Sequence, residues 1–425
     1  MMKHEESFFE GVASLNADHF TTDENIKIFE ELQNKTDKPS GKYLRDVAKE
    51  AKIKEAIKLI DNFNVGRDDF IHSINELKEL YKKRQLYYTI ERAKNTFDFE
   101  DSDTIIEEFT ESVSGMSSED NEKDYIDPEE FADKMTKHLH EVANNPDSSK
   151  GIPFSITDDR GRVSGLPSLD QTFNGAQGGD LIMIAAKTGV GKTAFALNIA
   201  RIFSMLQDYT VYYMNTEMRE EELSARLIAP LARVDANEIE TGRYEGSSDE
   251  ISDKFSRSDK AQQLYRKGNF IPSVIPYLPL YKVKGLAKQI KLKYKKLDCI
   301  VVDYVGRMEM DDRKNIWDEL YRITKGLKQL AVELDIPIFM LAQRNQAGDV
   351  EGAKKMMNEC DGVLYFEPIT EEDEDEINHK IRQDQRGKVN YRIVKKKVRR
   401  NDNSYPIYCM FNKARSEVVE ARRSI

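Results

Sequence analysis

Cysteine is scarce in this chain. Its 425 residues hold three, Cys299, Cys360 and Cys409, which lie too far apart for a zinc site and are odd in number for a disulfide framework. That usage predicts a reducing cytoplasm. No apolar run approaches the roughly 20 residues that cross a bilayer, and the opening MMKHEESFFEG lacks the apolar core of a secretory signal. The expectation is therefore a cytoplasmic protein with no membrane partner. Glycine and proline are sparse, at 22 and 12 residues, which excludes collagen-like and low-complexity classes. Positive charge is in deficit as well: 65 Lys and Arg face 76 Asp and Glu, a formal net charge of −11. That excludes a protein that coats nucleic acid through bulk charge. It leaves open one that grips through local basic loops, because affinity follows the phosphates actually neutralised.

What is present is length, charge and periodicity. A chain of 425 residues, 33% of them charged, predicts two or three soluble, helix-rich domains. Residues 1 to 124 read as helices. Leu86, Ile90, Ala93 and Phe97 recur at helical spacing, as do Ile105, Phe109 and Val113, with Thr104 and Glu107 as a capping box before the second run. A loop is expected over Ser114 to Asp124. Asp127 and Pro128 then open a lone amphipathic helix to Asn145, with Phe131, Met135, Leu139 and Val142 along one stripe. That stripe either packs on its own domain or docks on a neighbouring subunit.

From about Leu166 the pattern changes to apolar β-type runs: LIMIAA (181–186), TVYYMN (210–215), CIVVDYV (299–305), PIFMLAQ (337–343), GVLYF (362–366) and NYRIVKKKV (390–398). Continuous apolar strands alternating with helices imply an α/β domain whose mostly parallel sheet is covered on both faces. The acidic run Glu371 to Glu376 reads as a solvated loop. The expected organisation is a helical N-terminal domain over 1–124, a linker with one amphipathic helix over 125–160, and an α/β domain over 161–425.

LIMIAA runs into AKTGVGKT and then a helical AFALNIA. Strand, glycine-bearing loop, Lys-Thr and helix form a P-loop. Gly189, Val190, Gly191, Lys192, Thr193 and Ala194 are thus the candidate nucleotide-binding segment for ATP or another NTP, although Ala186 stands where a P-loop usually has its first glycine. Glycines let backbone N–H groups point at phosphate oxygens, Lys192 reaches the β- and γ-phosphates, and Thr193 offers a hydroxyl to Mg²⁺. Asp303, closing a hydrophobic strand, is the second candidate metal ligand. Glu217, just past the strand that follows the P-loop helix, is the candidate general base. Gln343 ends PIFMLAQ at the same sheet edge, where an uncharged amide can sense the γ-phosphate or couple the nucleotide to a moving loop.

The order P-loop, Glu217, Asp303, Gln343 and a late basic strand resembles the DnaB-type replicative DNA helicases, their bacteriophage members included. SGLPSLDQTFNGAQGGDLIMIAA (164–186), EMREEELSARL (217–227), ELYRITKGLKQLAVELDIPIFMLAQRNQ (319–346) and DGVLYF (361–366) carry the likeness, and LNADHFTTDENIKIFEEL (15–32) extends it upstream. The resemblance implies an all-α N-terminal domain, a linker helix that docks on the next subunit, and a RecA-like P-loop ATPase domain. It further implies a ring-shaped homohexamer moving 5′ to 3′ on single-stranded DNA in the bacterial cytoplasm, that of a phage-infected host included. Its partners would be a primase, often a loader, and the replicative polymerase. A recombinase-like ATPase on the same core and a nucleotide-switched replication scaffold without unwinding are the alternatives.

The segment after Gln343 is short and lacks the Arg-Glu-Ser-Gly tetrad of the bacterial members' DNA loop. Arg344, Lys354 and Lys355 there, with Arg307, Arg313 and Lys314 after the Asp303 strand, are the candidate DNA contacts. No aromatic residues interleave with them, so backbone tracking is expected rather than base stacking. In VKKKVRRN (394–401), the resemblance assigns Lys397 and Arg399 to the γ-phosphate of a neighbouring subunit. Residues i and i+2 of a strand share a face. A one-residue slip would exchange Arg399 for Arg400, and a plain DNA patch is the competing reading.

Overall fold

The computed structural model describes residues 15–33, 67–100, 102–118, 127–145, 150–267, 269–308, 315–344, 353–399 and 405–424. The chain forms two compact units, Met1–Asp127 and Pro128–Ile425.

The described part of the first unit holds α1 (Asp23–Gln33), α2 (Arg67–Thr96) and α3 (Ser102–Ser118). Leu15, Phe29 and Ile74 form a small core there. The structure differs from the periodicity reading in three ways. The expected stripe on α2 is largely exposed, with Leu86 at 39%, Ile90 at 48% and Phe97 at 75%. α3 starts at Ser102, so Thr104 falls inside the helix and does not cap it; Ser102 already suits a first turn. α3 also continues to Ser118, into the expected loop, although Gly115 and the serines around it are weak helix formers.

The second unit opens with α4 (Pro128–Asn144) and the hairpin β1 (Ser155–Thr157) and β2 (Val163–Gly165), followed by α5 (Pro167–Phe173) and β3 (Leu181–Ala186). Next come α6 (Lys192–Leu206), β4 (Val211–Asn215), α7 (Glu220–Ala232), α8 (Ala236–Thr241), α9 (Ser248–Lys267), β5 (Phe270–Val274) and α10 (Leu280–Tyr294). The chain continues through β6 (Cys299–Asp303), α11 (Ile316–Leu334), β7 (Ile338–Gln343), α12 (Ala353–Glu359) and β8 (Gly362–Pro368). It ends in α13 (Glu374–Lys380), β9 (Tyr391–Val398), β10 (Ile407–Asn412) and β11 (Glu417–Glu420). No residue of α4 is buried.

One nine-stranded sheet runs β11-β10-β9-β8-β3-β7-β6-β4-β5. Its six strands from β8 to β5 are mutually parallel, and β9 to β11 join antiparallel. Alternation along each strand divides the core. Ile182 and Ile184 of β3, with Phe339 and Leu341 of β7, face Phe195 and Phe203 of α6. Met183 and Met340 face Leu327 and Leu330 of α11 on the other side. A strand buried on both faces needs every residue apolar, which is why LIMIAA shows no polar alternation.

The six expected strands are present, with ends shifted by a residue or two. β5, β10, β11 and the hairpin are additional to that reading: β5 carries a proline at the sheet edge, and β1, β2 and β11 are only three or four residues long. The acidic run is not a solvated loop. Its middle forms a 3₁₀ turn and the start of α13, and Asp373 is 4% exposed. Arg392 donates to both Asp373 oxygens at 2.6 and 2.8 Å, and the Tyr408 hydroxyl donates to Oδ1 at 3.1 Å. A buried carboxylate needs such partners, and residues from distant strands supply them. No helix among the described residues is long and apolar enough to cross a membrane.

Candidate nucleotide site

The parallel register brings the candidate residues together. Ala186 pairs with Gln343, and Asn215 pairs with Asp303. The C-terminal ends of β3, β7, β6 and β4 therefore share one edge, where ligands of open α/β sheets bind. Beyond β3 the loop turns through Gly189 at φ 73° and Gly191 at φ 110°, a region that other residues avoid. Gly191 is doubly constrained, since a Cβ there would come within 2.5 Å of the Phe411 ring. Lys192 and Thr193 then open α6, whose first N–H groups and dipole face the loop.

Asp303 is fully buried at the end of β6. Its Oδ2 accepts from the Tyr213 hydroxyl at 2.7 Å, while Oδ1 is buried with no hydrogen-bond partner. Burial pushes its carboxyl above the usual aspartate value, and the Lys192 ammonium with the Tyr213 and Thr193 hydroxyls opposes that without cancelling it. Burial also lowers the Lys192 ammonium, against the attraction of Asp303 and Glu217. In this state Lys192 Nζ sits 3.8 Å over the Tyr304 ring. A buried carboxylate oxygen without a partner, beside the Thr193 hydroxyl, fits a divalent cation or a water bound to it. Among the described residues no group of three or more His, Cys, Asp or Glu could cage a metal.

Glu217 lies in the loop after β4. Its N–H donates to Asn215 Oδ1 at 3.1 Å, and Thr216 ties the loop to β6 through N–H and hydroxyl bonds to the Asp303 carbonyl at 2.8 and 3.0 Å. Its side chain is half exposed, with Arg307 Nη2 3.9 Å from Oε1. Gln343 Nε2 donates to Thr188 Oγ1 at 2.7 Å and so joins the end of β7 to the phosphate loop. A cavity of about 530 Å³ lies at β10 and β11, lined by Lys388, Met410, Asn412, Lys413, Glu417 and Val419 among others. Tyr213, Asn215, Thr216, Tyr304 and Phe411 escaped the sequence reading. The first four flank or adjoin the strand ends that were identified, but Phe411 lies 220 residues from Gly191 and left no local signal.

Lys397 and Arg399 lie elsewhere. β9 runs antiparallel to β8, with Val398 opposite Gly362, and Arg399 N–H donates to the Asp361 carbonyl at 3.0 Å. They are therefore at the N-terminal edge of the parallel strands, roughly 20 Å from the phosphate loop at about 3.3 Å per strand residue. Arg399 pairs with Asp361 at 2.9 Å, and Lys397 Nζ donates to the Met357 and Asn358 carbonyls at 2.8 Å, closing the end of α12. Burial and the neighbouring Arg399 lower the Lys397 ammonium.

Of the candidate DNA contacts, Arg307 is half exposed with Glu217 beside it. Arg344 pairs with Glu367 at 2.6 Å and lies over the Tyr365 ring, and Lys355 pairs with Asp318 at 3.3 Å on the surface. Arg313, Lys314 and Arg400 lie outside the described residues, and Lys354 is described only as part of α12.

Residues 161–358 match the DnaB-like helicase C-terminal domain. The matched segment is a little under half of this chain. The chain is 32% identical over 203 residues to the replicative DNA helicase DnaB of Haemophilus influenzae, covering 47% of this chain and 42% of that protein. With the replicative DNA helicase DnaB of Rickettsia prowazekii it shares 29% over 208 residues, covering 46% and 41%. It thus spans less than half the length of these relatives. Two solved structures share the fold. One is a DnaB-like replicative helicase described with its interactions with primase, at a TM-score of 0.65 and 16% identity over 97% of this chain and 98% of that one. The other is a solved ATPase domain, at a TM-score of 0.56 and 19% identity over 69% of this chain and 99% of that one. The second unit accordingly shares the α/β fold of these structures, and the described residues of the first unit are mostly helical.

Proposed function

We propose that this chain is an ATP-driven replicative DNA helicase: a homohexameric ring that moves 5′ to 3′ on single-stranded DNA and parts the duplex ahead. The observation that carries the reading is the convergence of the glycine loop, Lys192, Thr193, Glu217, Asp303 and Gln343 on one sheet edge. Backbone N–H groups of the loop and of α6 bind the phosphates, and Lys192 exchanges the Tyr304 ring for their charge. Thr193 and Asp303 would hold Mg²⁺, which neutralises charge on the β- and γ-oxygens when bound. Glu217 orients and deprotonates the attacking water. Gln343 passes the state of the nucleotide through Thr188 to β7.

Two further features support an assembly. Lys397 and Arg399 are too far from their own phosphate loop to serve it, so they act on the γ-phosphate of a neighbour. The exposed stripe Phe131, Met135 and Leu139 of α4 docks on an adjacent subunit. We assign residues 1–124 to an N-terminal domain, 125–160 to a linker and 161–425 to the motor. The primase named with the structural relative is the proposed partner, with a loader and the replicative polymerase as further ones. The cytoplasm is the proposed compartment, and the short segment after Gln343 supports a bacteriophage member. A forked-duplex assay tests the reading: ATP-dependent unwinding is expected of the wild type and not of Glu217→Ala. Nucleotide-dependent DNA binding without strand separation by the wild type would instead indicate a scaffold.

A further inference from the structure

Arg307 closes a short 3₁₀ turn, Val305–Arg307, directly after the Asp303 strand, where its N–H bonds the Tyr304 carbonyl at 3.1 Å. Its Nη2 lies 3.9 Å from Glu217 Oε1, and the two side chains are 50% and 45% exposed. Its other neighbour is the Tyr304 hydroxyl, whose ring carries the Lys192 ammonium. Because Asn215 and Asp303 are in register on adjacent strands, Arg307 and Glu217 stand across one gap between two strand ends. A carboxylate that must take a proton from water is a poorer base while a guanidinium occupies it.

We infer that Arg307 is a positioning residue that holds Glu217 in a resting pair until a DNA phosphate draws the guanidinium away, so that DNA binding releases the base. This rests on the reading of the chain as a DNA-stimulated ATPase. Three observations support it. The pair is exposed, and exposed pairs are weak and readily exchanged. A phosphate offers the planar guanidinium a better bidentate partner than a single carboxylate oxygen at 3.9 Å. The same Tyr304 that neighbours Arg307 also holds Lys192 at rest, so both working side chains are parked by one short turn.

The test compares ATP turnover of wild type, Arg307→Ala, Arg307→Met and Arg307→Lys with and without single-stranded DNA, alongside binding of a fluorescent ATP analogue. Loss of the pair in the Ala and Met variants should raise DNA-free turnover about two- to fivefold, the factor such an exposed pair is worth. The ratio of stimulated to unstimulated turnover should fall by the same factor, analogue affinity should hold, and Lys should keep most of the ratio. An unchanged ratio in Ala and Met, or equal loss of turnover with and without DNA, overturns the inference while leaving the proposed function standing. A wild type that hydrolyses no ATP in either condition overturns both.

Discussion

Glu217 and Lys192 sit on one sheet edge but do separable work. Glu217→Gln keeps the shape of the side chain and removes its basicity, so turnover should fall about 10²- to 10⁴-fold while binding of a fluorescent ATP analogue is retained. Lys192→Ala should lose both, because its ammonium neutralises phosphate charge. Gly191→Ala meets two obstacles at once, a φ of 110° and the Phe411 ring 2.5 Å from the new Cβ. It should destabilise the motor by about 1–3 kcal/mol, read from denaturant melts, and weaken nucleotide binding. These residues could be read from sequence because a phosphate loop is a local device, in which spacing along the chain is spacing in space.

Elements are held by contacts that no local pattern announces. Leu330 of α11 is fully buried against the face of the sheet that carries Met183 and Met340, so Leu330→Ala should cost about 2–5 kcal/mol. Glu420 of β11 accepts from the Ser168 N–H at 3.0 Å and from the Ser168 hydroxyl at the start of α5. Burial pushes its carboxyl above the ordinary glutamate value of 4.5 despite those bonds. A raised value means that the folded state prefers the protonated form, so its contribution is present at low pH and lost as pH rises through the folded value. Glu420→Gln should therefore melt higher than wild type at pH 8, with the difference shrinking as pH falls towards 4.5. A gap that widens on acidification would refute this.

At the scale of the molecule, the two ends of the proposed chemistry lie on opposite edges of the same sheet. If Lys397 and Arg399 serve a neighbour, Glu217→Ala and Arg399→Ala chains, each inactive alone, should regain part of their ATP turnover when mixed, since some interfaces then pair an intact base with an intact arginine. Absence of complementation in mixed rings of confirmed composition would place Arg399 in its own subunit's structure, where it already pairs with Asp361. On α4, Leu139→Glu puts charge into the exposed stripe. It should lower the assembled mass in light scattering without changing the melting midpoint, because no residue of α4 is buried in this chain.

By itself the sequence determined the α/β class, the six principal strands, the phosphate loop and the edge on which Glu217, Asp303 and Gln343 converge. Each of these rests on short-range regularity: apolar runs long enough for a doubly covered strand, a glycine-bearing turn, an acid or amide at a strand's end. Tertiary structure alone decided the rest. Strand order and direction put Lys397 and Arg399 at the sheet edge opposite the loop, which neither their charge nor their spacing could show. Packing drew Asp373 inward to Arg392 and Tyr408, and brought Phe411 against Gly191. It also set Arg307, a candidate DNA contact, beside Glu217. These facts depend on which strands lie side by side, and that is set by non-local burial and register, which no window along the chain contains.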